Sequence, residues 1–347
     1  MNISLGLDIG SHTIKLVEVA QENNKFALIA AGSVTTPHNS LTSPLSADVE
    51  AAASAVKRLV KETGAKSKDV HIALPESKVF TRVIEVPALS DRELSSAIKW
   101  EAEQYIPLPL DQVNLDFTIL RDAKATGTNK MEVLLVAAPK ILVEKYLSIL
   151  EFAELTPMAA ETEIIATSRA LGRSLTAQAG LPNVKSFLIV SMGAQTTDLG
   201  ILRGGVLALT RSIPAAGDAI TRAIAQGLDF APQQAEEYKR TYGLETNKLE
   251  GKIVAAAKPV MDTVIGEIRR ALAFYQERYR ETLQLVVLSG GTARIPGMVS
   301  FLAQTLGLEV QLGNPWMGIT RDPRFNVLSS EGPNFCVAVG LAIHPRV

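Results

Sequence analysis

Cysteine occurs once in the 347 residues, at Cys336, which excludes an internal disulfide and any thiolate-rich metal site. It stands in the apolar run Asn334-Phe-Cys-Val-Ala-Val-Gly-Leu-Ala, where a buried small hydrophobe is expected. The four histidines, His12, His38, His71 and His344, are scattered and show no metal-ligand spacing. Neither sign of charge is in excess: 35 Lys and Arg stand against 36 Asp and Glu, so there is no electrostatic case for nucleic acid or an anionic membrane. Basic residues do not interleave with aromatics as a single-strand binding platform requires. No apolar run approaches the roughly 18 residues of a membrane span. The N-terminus lacks a basic n-region and carries Asp8 inside its first apolar stretch, so no signal peptide is read there and a soluble intracellular chain is expected. Neither a Gly-x-Ser-x-Gly elbow nor a Walker lysine loop is present.

What is present begins with Leu5-Gly-Leu-Asp-Ile-Gly-Ser-His-Thr-Ile-Lys-Leu-Val-Glu-Val19. An apolar strand reaches Ile9, Gly10-Ser11-His12-Thr13 turns, and a second apolar strand starts at Ile14. Gly10 permits a tight turn or a close approach because it has no Cβ. The small polar residues after it offer N–H and hydroxyl donors that suit phosphate oxygens. Asp8 interrupts a core strand, and a buried carboxylate is costly unless paired or near a metal. Taken alone the stretch reads as an ordinary hairpin with one strand-end Asp. Two later features reverse that. Phe187-Leu-Ile-Val-Ser-Met-Gly-Ala-Gln-Thr-Thr-Asp-Leu-Gly-Ile-Leu202 repeats the layout, and each unit continues through a hydrophilic turn into a third strand, Phe26 to Val34 and Val206 to Ile213. Two copies of one unit predict a duplicated, two-lobed protein with facing loops. Val286-Val-Leu-Ser-Gly-Gly-Thr-Ala-Arg-Ile-Pro-Gly297 then runs from a buried strand through a glycine pair into a helix start, a seat for a nucleotide.

Three such junctions in this order resemble the actin-like ATPase superfamily, which includes actin, sugar kinases and bacterial FtsA. The resemblance implies an α/β, two-lobed actin-like (ribonuclease H-like) duplicated fold. It implies that the first two loops, Gly10 to Thr13 with Lys15 behind them and Gly193-Ala194-Gln195-Thr196, clamp phosphates and metal. The third, Gly290-Gly291-Thr292, would hold the adenosine.

Elsewhere, local rules place a helix from Ser46, taken as its cap, to a stop at Gly64, with Val49, Ala52, Ala53, Val56, Leu59 and Val60 on one face. Asp69 to Leu74 is a short strand. From Lys78 to about Pro157 the pattern predicts a small α+β inserted subdomain, β–α–β–β–α. A capping box at Ser90-Asp-Arg-Glu93 starts its first helix, and Pro107 and Pro109 end it. Its last helix, Lys140 to Leu155, is expected to turn Ile141, Val143, Tyr146, Leu147 and Leu150 inward. The helix from about Lys252 to Glu281 carries Val260, Val264, Ile268, Leu272 and Tyr275 as a core stripe, and Arg269, Arg270, Arg278 and Arg280 read as a solvated face. The expected division is 1–77 with 158–180 as the first lobe, 78–157 as the insertion and 181–347 as the second lobe.

Within the insertion, Thr81-Arg-Val-Ile-Glu-Val-Pro87, Trp100-Glu-Ala-Glu-Gln-Tyr-Ile-Pro-Leu-Pro109, Leu115-Asp-Phe and Leu134-Leu-Val-Ala-Ala-Pro139 resemble the PilM family of type IV pilus assembly proteins, and the likeness runs from Leu5 to about Ala342. That resemblance implies ATP with Mg²⁺ between the lobes, Asp8 reaching the metal through water, and Gly217 beside the phosphates. It also implies Glu236 and Lys239 near ribose and base. Glu and Lys three apart on a helix otherwise read as an exposed ion pair. It further implies a cytoplasmic scaffold, peripheral at the inner face of the cytoplasmic membrane. Its partner would be the cytoplasmic N-terminal tail of a PilN-like bitopic membrane protein, with pilus motor ATPases as further partners. The tail would lie in a groove between the insertion and the first lobe, with Arg82 and Trp100 as contacts. Trp100 lies about 120° from the Leu94 direction on its helix, so packing on a neighbouring lobe is its other reading.

One departure bears on chemistry. The superfamily commonly has Asp–hydrophobe–Gly where this chain has Ser191-Met-Gly193. Serine lacks the charge that attracts magnesium and polarises water, so weak or absent ATP hydrolysis is expected and no catalytic residue is assigned. Glu161 and Glu163 fall where the superfamily often has an acid between lobes, and they read equally as helix N-terminal carboxylates. The alternatives are an FtsA-like division scaffold, against which the chain's end at His344-Pro-Arg-Val347 shows no amphipathic membrane helix, and a small-molecule kinase of the same superfamily.

Overall fold

Alternating apolar residues at the N-terminus build the first sheet. The computed structural model describes residues 2–23, 25–41, 43, 45–177 and 186–345. In it β1 (Asn2–Ile9), β2 (Thr13–Glu22) and β3 (Lys25–Thr35) form an antiparallel meander. Leu5, Leu7 and Ile9 share a core with Ala52, Val56 and Leu59 of α1 (Ser46–Thr63). Gly64 ends that helix in the left-handed conformation, φ 69°, as expected. Ser46 is the first helical residue rather than the cap, a position held by Leu45, and its hydroxyl bonds the Glu50 carboxylate at 3.1 Å. β4 (Asp69–Leu74) then pairs parallel to β1.

The insertion is a three-stranded sheet under one helix. Its elements are β5 (Phe80–Pro87), α2 (Asp91–Tyr105), β6 (Val113–Arg121), the single turn α3 (Ala123–Thr126) and β7 (Lys130–Pro139), with strand order β5-β7-β6. Leu94, Ile98 and Ala102 of α2 pack on Ile84, Val133 and Leu135. The capping box forms as read, Ser90 N–H donating to Glu93 at 2.9 Å. The next helix, α4 (Lys140–Phe152), does not cover this sheet. Its Tyr146, Ile149 and Leu150 enter the first-lobe core beside α1, and Ile141 and Leu147 are 78% and 40% exposed rather than inward. The inward face of an amphipathic helix is set by what lies beneath it, and here that is α1.

After β8 (Thr156–Thr162) and α5 (Glu163–Ala177), the second lobe repeats the first. β9 (Ser186–Met192), β10 (Thr197–Arg203) and β11 (Val206–Ile213) are the meander; α6 (Gly217–Leu228), α7 (Pro232–Tyr242) and α8 (Lys252–Tyr279) follow, then β12 (Leu285–Ser289), α9 (Met298–Leu306) and β13 (Glu309–Leu312). The orders β3-β2-β1-β4-β8 and β11-β10-β9-β12-β13 match strand for strand, with the same parallel and antiparallel pairings. The turns match too: Gly10 N–H donates to Thr13 O at 3.2 Å and Gly193 N–H to Thr196 O at 2.9 Å. This is the two-lobed actin-like fold.

The lobes are interlocked by exchange. α5 lays Ile164, Leu171 and Leu175 against Phe187 and Ile189 of the second sheet, while the C-terminal β14 (Ile319–Thr320) and α10 (Cys336–Ala342) return to the first. The division drawn between residues 180 and 181 falls outside the described residues, and packing runs between the parts on either side of it. Cys336 is buried, as read. In α8, Val264, Ile268 and Tyr275 are core, with Met261 and Ile265 beside them. Arg278 departs from the solvated reading, since its guanidinium bonds Glu85 of β5 at 2.7 Å and ties α8 to the insertion. Gly340 brings α10 against α5 so closely that a Cβ there would meet Ala166 O at 1.9 Å. Gly340→Ala should therefore cost about 2–3 kcal/mol of stability, as overpacking of a rigid contact does, and urea unfolding would read it. A variant as stable as the parent would show that α10 moves freely on α5.

Candidate functional site

The two glycine hairpins and the β12 junction face one cleft of about 1410 Å³. Asp8, Gly10, Ser11, His12, Thr13 and Lys15 line it from the first lobe; Gly193, Ala194, Gln195, Thr196, Gly217, Glu236, Lys239, Gly290, Gly291 and Thr292 line it from the second. The hairpins are held by their own strand register. Asp8 pairs with Lys15 across β1 and β2, and Lys15 Nζ lies 3.0 Å from Asp8 Oδ2. Thr36 donates its hydroxyl to Gly10 O at 2.6 Å and fixes the first turn. In the second hairpin Gly217 N–H donates to Gly193 O at 3.2 Å, and Asp218 N–H to Ala194 O at 2.8 Å. Thr292 donates its hydroxyl to Gly193 O at 2.7 Å, tying the third junction to the second loop. Gly290 sits at φ 85°, and a Cβ there would meet Met192 O at 2.2 Å, so this position requires glycine. His12 reaches across the cleft to Asp218 at 3.2 Å, and that hydrogen bond raises its pKa.

The floor of the cleft holds a carboxylate that the motif reading missed. Ser191 is directly opposite Asp198 in the β9–β10 register, as Asp8 is opposite Lys15 in the first hairpin. The second hairpin thus carries its acid on the exit strand instead of the entry strand. Its signal was an Asp in an otherwise apolar strand, inside the repeat itself. Asp198 is buried, accepting from Ser212 Oγ at 2.5 Å and Thr196 Oγ1 at 3.2 Å, and burial pushes its pKa up to about 6. Glu163, first residue of α5, also lines the cleft. Burial and then the charges of Asp198 and Asp8 hold its pKa well above the usual range. Glu161 is turned to Arg169 instead, at 2.5 Å. Glu76, just after β4, is buried behind Glu163, and burial pushes it up to about 7. Tyr146 of α4 lines the same floor, its hydroxyl buried with no hydrogen-bond partner among the described residues.

These donors fit a magnesium ion held through water. No group of three His, Cys, Asp or Glu side chains among the described residues is arranged to grip a metal directly. Asp8, Asp198 and Glu163 bring three carboxyl groups to one floor, where Lys15 pairs only Asp8 and burial raises the pKa of the other two. A cation arriving with phosphates would favour their ionised forms, and Mg²⁺ keeps several waters when it binds with phosphates.

On the second-lobe side of the cleft, the exposed-ion-pair reading of Glu236 and Lys239 is overturned by burial of the lysine. Lys239 is 5% exposed, and its Nζ meets Glu236 Oε2 at 2.6 Å, Thr221 Oγ1 at 2.8 Å and Gly217 O at 3.1 Å. Burial opposes ionisation of Glu236, but the bonds from Lys239 and Thr221 outweigh it and lower its pKa to about 2. Arg294 and Asn334 also line the cleft, and both bond Glu331.

Arg82 and Trp100 are not brought together. Arg82 stacks over the Tyr105 ring at 4.1 Å and lines a groove with Phe274 and Arg278, between the insertion and α8 of the second lobe. Trp100 is 74% exposed, which removes the reading that packs it on a neighbouring lobe, and it lies outside the Arg82 groove.

The family model for type IV pilus assembly protein PilM matches residues 6–346. The chain belongs to the PilM family. A solved PilM–PilN type IV pilus biogenesis complex contains a chain 33% identical to it, with 99% of each chain covered and a TM-score of 0.86. The cell division protein FtsA of Streptococcus pneumoniae is 23% identical, covering 92% of this chain and 77% of FtsA. MreB 5 of Spiroplasma citri bound to AMPPNP, at 15% identity and a TM-score of 0.50, covers 98% of this chain and 95% of its own and shares the fold. No helix of this PilM-family chain, among the described residues, is long and apolar enough to cross a membrane.

Asp198 gives the site a pH signature. Its ordinary value is 3.8 and its folded value about 6, so between them the folded protein holds a proton that the unfolded chain releases. That contribution stabilises the fold at low pH and is lost as pH rises toward 6. Asp198→Asn abolishes the titration, so the variant should gain on the parent between about pH 4 and pH 7, by on the order of 2 kcal/mol. Urea unfolding of both proteins at the two pH values checks this, and a constant difference would contradict it.

Proposed function

We propose that this PilM-family chain is an ATP-binding scaffold of the type IV pilus assembly platform. In this reading it docks the cytoplasmic N-terminal tail of a PilN-like bitopic protein at the inner face of the cytoplasmic membrane. The observation that carries the reading is likeness along the whole chain, insertion included, to a protein solved in complex with PilN. The likeness to FtsA spans most of the chain at lower identity, and the PilM match is the more specific.

The cleft supports the nucleotide half. Backbone N–H groups of the two hairpins serve the phosphates, as such nests do. The buried Lys239–Glu236 pair and the Gly290–Gly291 junction serve ribose and base. Asp8, Asp198 and Glu163 would hold a hydrated magnesium, whose charge would offset the phosphates and polarise water. Turnover is slow in this reading. Ser191 contributes no charge, and both oxygens of Asp198 already accept from protein hydroxyls. ATP with Mg²⁺ should bind the intact chain in a calorimeter. Gly291 opens onto the cleft, and a side chain there starts 3.0 Å from Asn334 Oδ1. Gly291→Val should therefore weaken ATP about tenfold or more, the loss of one or two good contacts, with little change in Tm. A folded parent that takes up no ATP would refute the nucleotide half.

The tail-docking half concerns the insertion. An exposed tryptophan on its helix is the residue type that dominates interfaces, and truncating such an anchor costs about 2 kcal/mol or more. Trp100→Ala should weaken a synthetic PilN-type tail peptide by about that amount, measured by fluorescence anisotropy, with Tm unchanged because the ring carries little packing. Equal peptide affinity in the variant would exclude Trp100 from the contact.

A further inference from the structure

Tyr146 is a buried group on the cleft floor whose chemistry nothing above uses. Its ring is fixed by the first-lobe core, where it packs with Ile149, Leu150 and the α1 side chains, so the direction of its hydroxyl is set by packing. The residue is 1% exposed, lines the cleft, and its Oη has no hydrogen-bond partner among the described residues. A buried hydroxyl left without a partner costs stability, so the site is built for a partner that arrives from outside. Burial and then the charges of Glu163 and Asp8 raise its pKa, which keeps the proton on the oxygen and leaves a donor facing the floor between the hairpins.

We propose that the Tyr146 hydroxyl is the positioning contact that distinguishes a nucleoside triphosphate from a diphosphate in this cleft, and that α4 carries the contact to the inserted subdomain. The inference rests on the nucleotide reading above. In that reading base and ribose lie on α7 and the β12 junction of the second lobe. Tyr146 enters from the first lobe and lines the cleft with Asp8 and Glu163, the side that the terminal phosphate faces in that reading. An oxygen of the terminal phosphate, or of a water bound with it, is the acceptor the hydroxyl lacks. Transmission follows from connectivity. β7 is the central strand of the insertion's sheet, and α4 begins at the residue after it, so Tyr146 lies six residues, about 9 Å of helix, beyond the start of α4.

The test uses the intact chain with ATP·Mg²⁺ and ADP·Mg²⁺, followed by calorimetry and thermal shift. The parent should prefer the triphosphate about tenfold, the contribution of one hydrogen bond to a charged group. Tyr146→Phe should abolish that preference, leave the diphosphate affinity unchanged, and leave the ligand-free Tm equal or higher, because the deleted hydroxyl had no partner. A tyrosine serving only the core would instead lower the ligand-free Tm or shift both affinities together, and either result overturns the proposal. A preference retained in the folded Phe variant also overturns it. A parent that binds both nucleotides equally overturns this inference alone; a parent that binds neither overturns the nucleotide reading and the inference with it. For transmission, amide exchange in residues 131–146 should slow with ATP in the parent and not in Tyr146→Phe. Unaltered exchange in the ATP-bound parent would overturn the coupling.

Discussion

Burial of carboxyl groups away from water governs the centre of this protein. Asp8 comes from β1, Glu76 from the turn after β4, Glu163 from the start of α5 and Asp198 from β10, and all four are drawn toward the surface where the lobes meet. Lys15 pairs Asp8, and hydroxyls serve Asp198, but no further cation among the described residues pairs with these acids. Burial therefore pushes protons onto Asp198, Glu76 and Glu163, and nearby carboxylates add to it at the two glutamates. A structure that keeps such a floor gives up stability to hold a site that a cation would relieve.

The framework that brings these groups together is the duplicated meander. Each copy places a Gly-to-Thr turn at the end of its first strand, and the matching sheet orders set the two turns face to face. The exchange of α5 and α10 between sheets fixes their separation. Contacts made possible by Gly340 and Gly6 leave no room for sliding, since a Cβ at Gly6 would meet Ala338 O at 2.3 Å. The cleft is thus shaped by backbone approach, and its charge is added afterward by side chains.

The insertion is attached to both lobes by polar ties and by chain continuity. Arg278 of α8 bonds Glu85, Arg121 donates to Arg203 O at 2.8 Å, and Thr210 donates to Thr81 O at 3.2 Å. These are contacts to the second lobe. Its links to the first lobe are the turn from β4 into β5 and α4, which leaves β7 and buries Tyr146 at the cleft floor. A subdomain held in this way can respond to the cleft without being part of its core.

Local sequence dictates the elements and their repetition. Strand alternation, the glycine after each first strand, the capping box at Ser90 and the stop at Gly64 are local, so they are legible from neighbours a few residues apart. The PilM-like segments of the insertion are likewise contiguous text. Tertiary structure alone decided which of those residues share surroundings. Asp198 stood in plain view inside the repeat, yet only the β9–β10 register places it opposite Ser191 as the second hairpin's acid. The face of α4 depended on α1, some ninety residues earlier in the chain. Spacing read Glu236 and Lys239 as a surface pair, and it could not foresee that Thr221 and Gly217 would bury the lysine. Trp100 is exposed because the insertion's sheet is covered by the opposite side of its helix. Periodicity fixes which residues lie on one face of an element; burial and charge depend on what the chain later packs against that face.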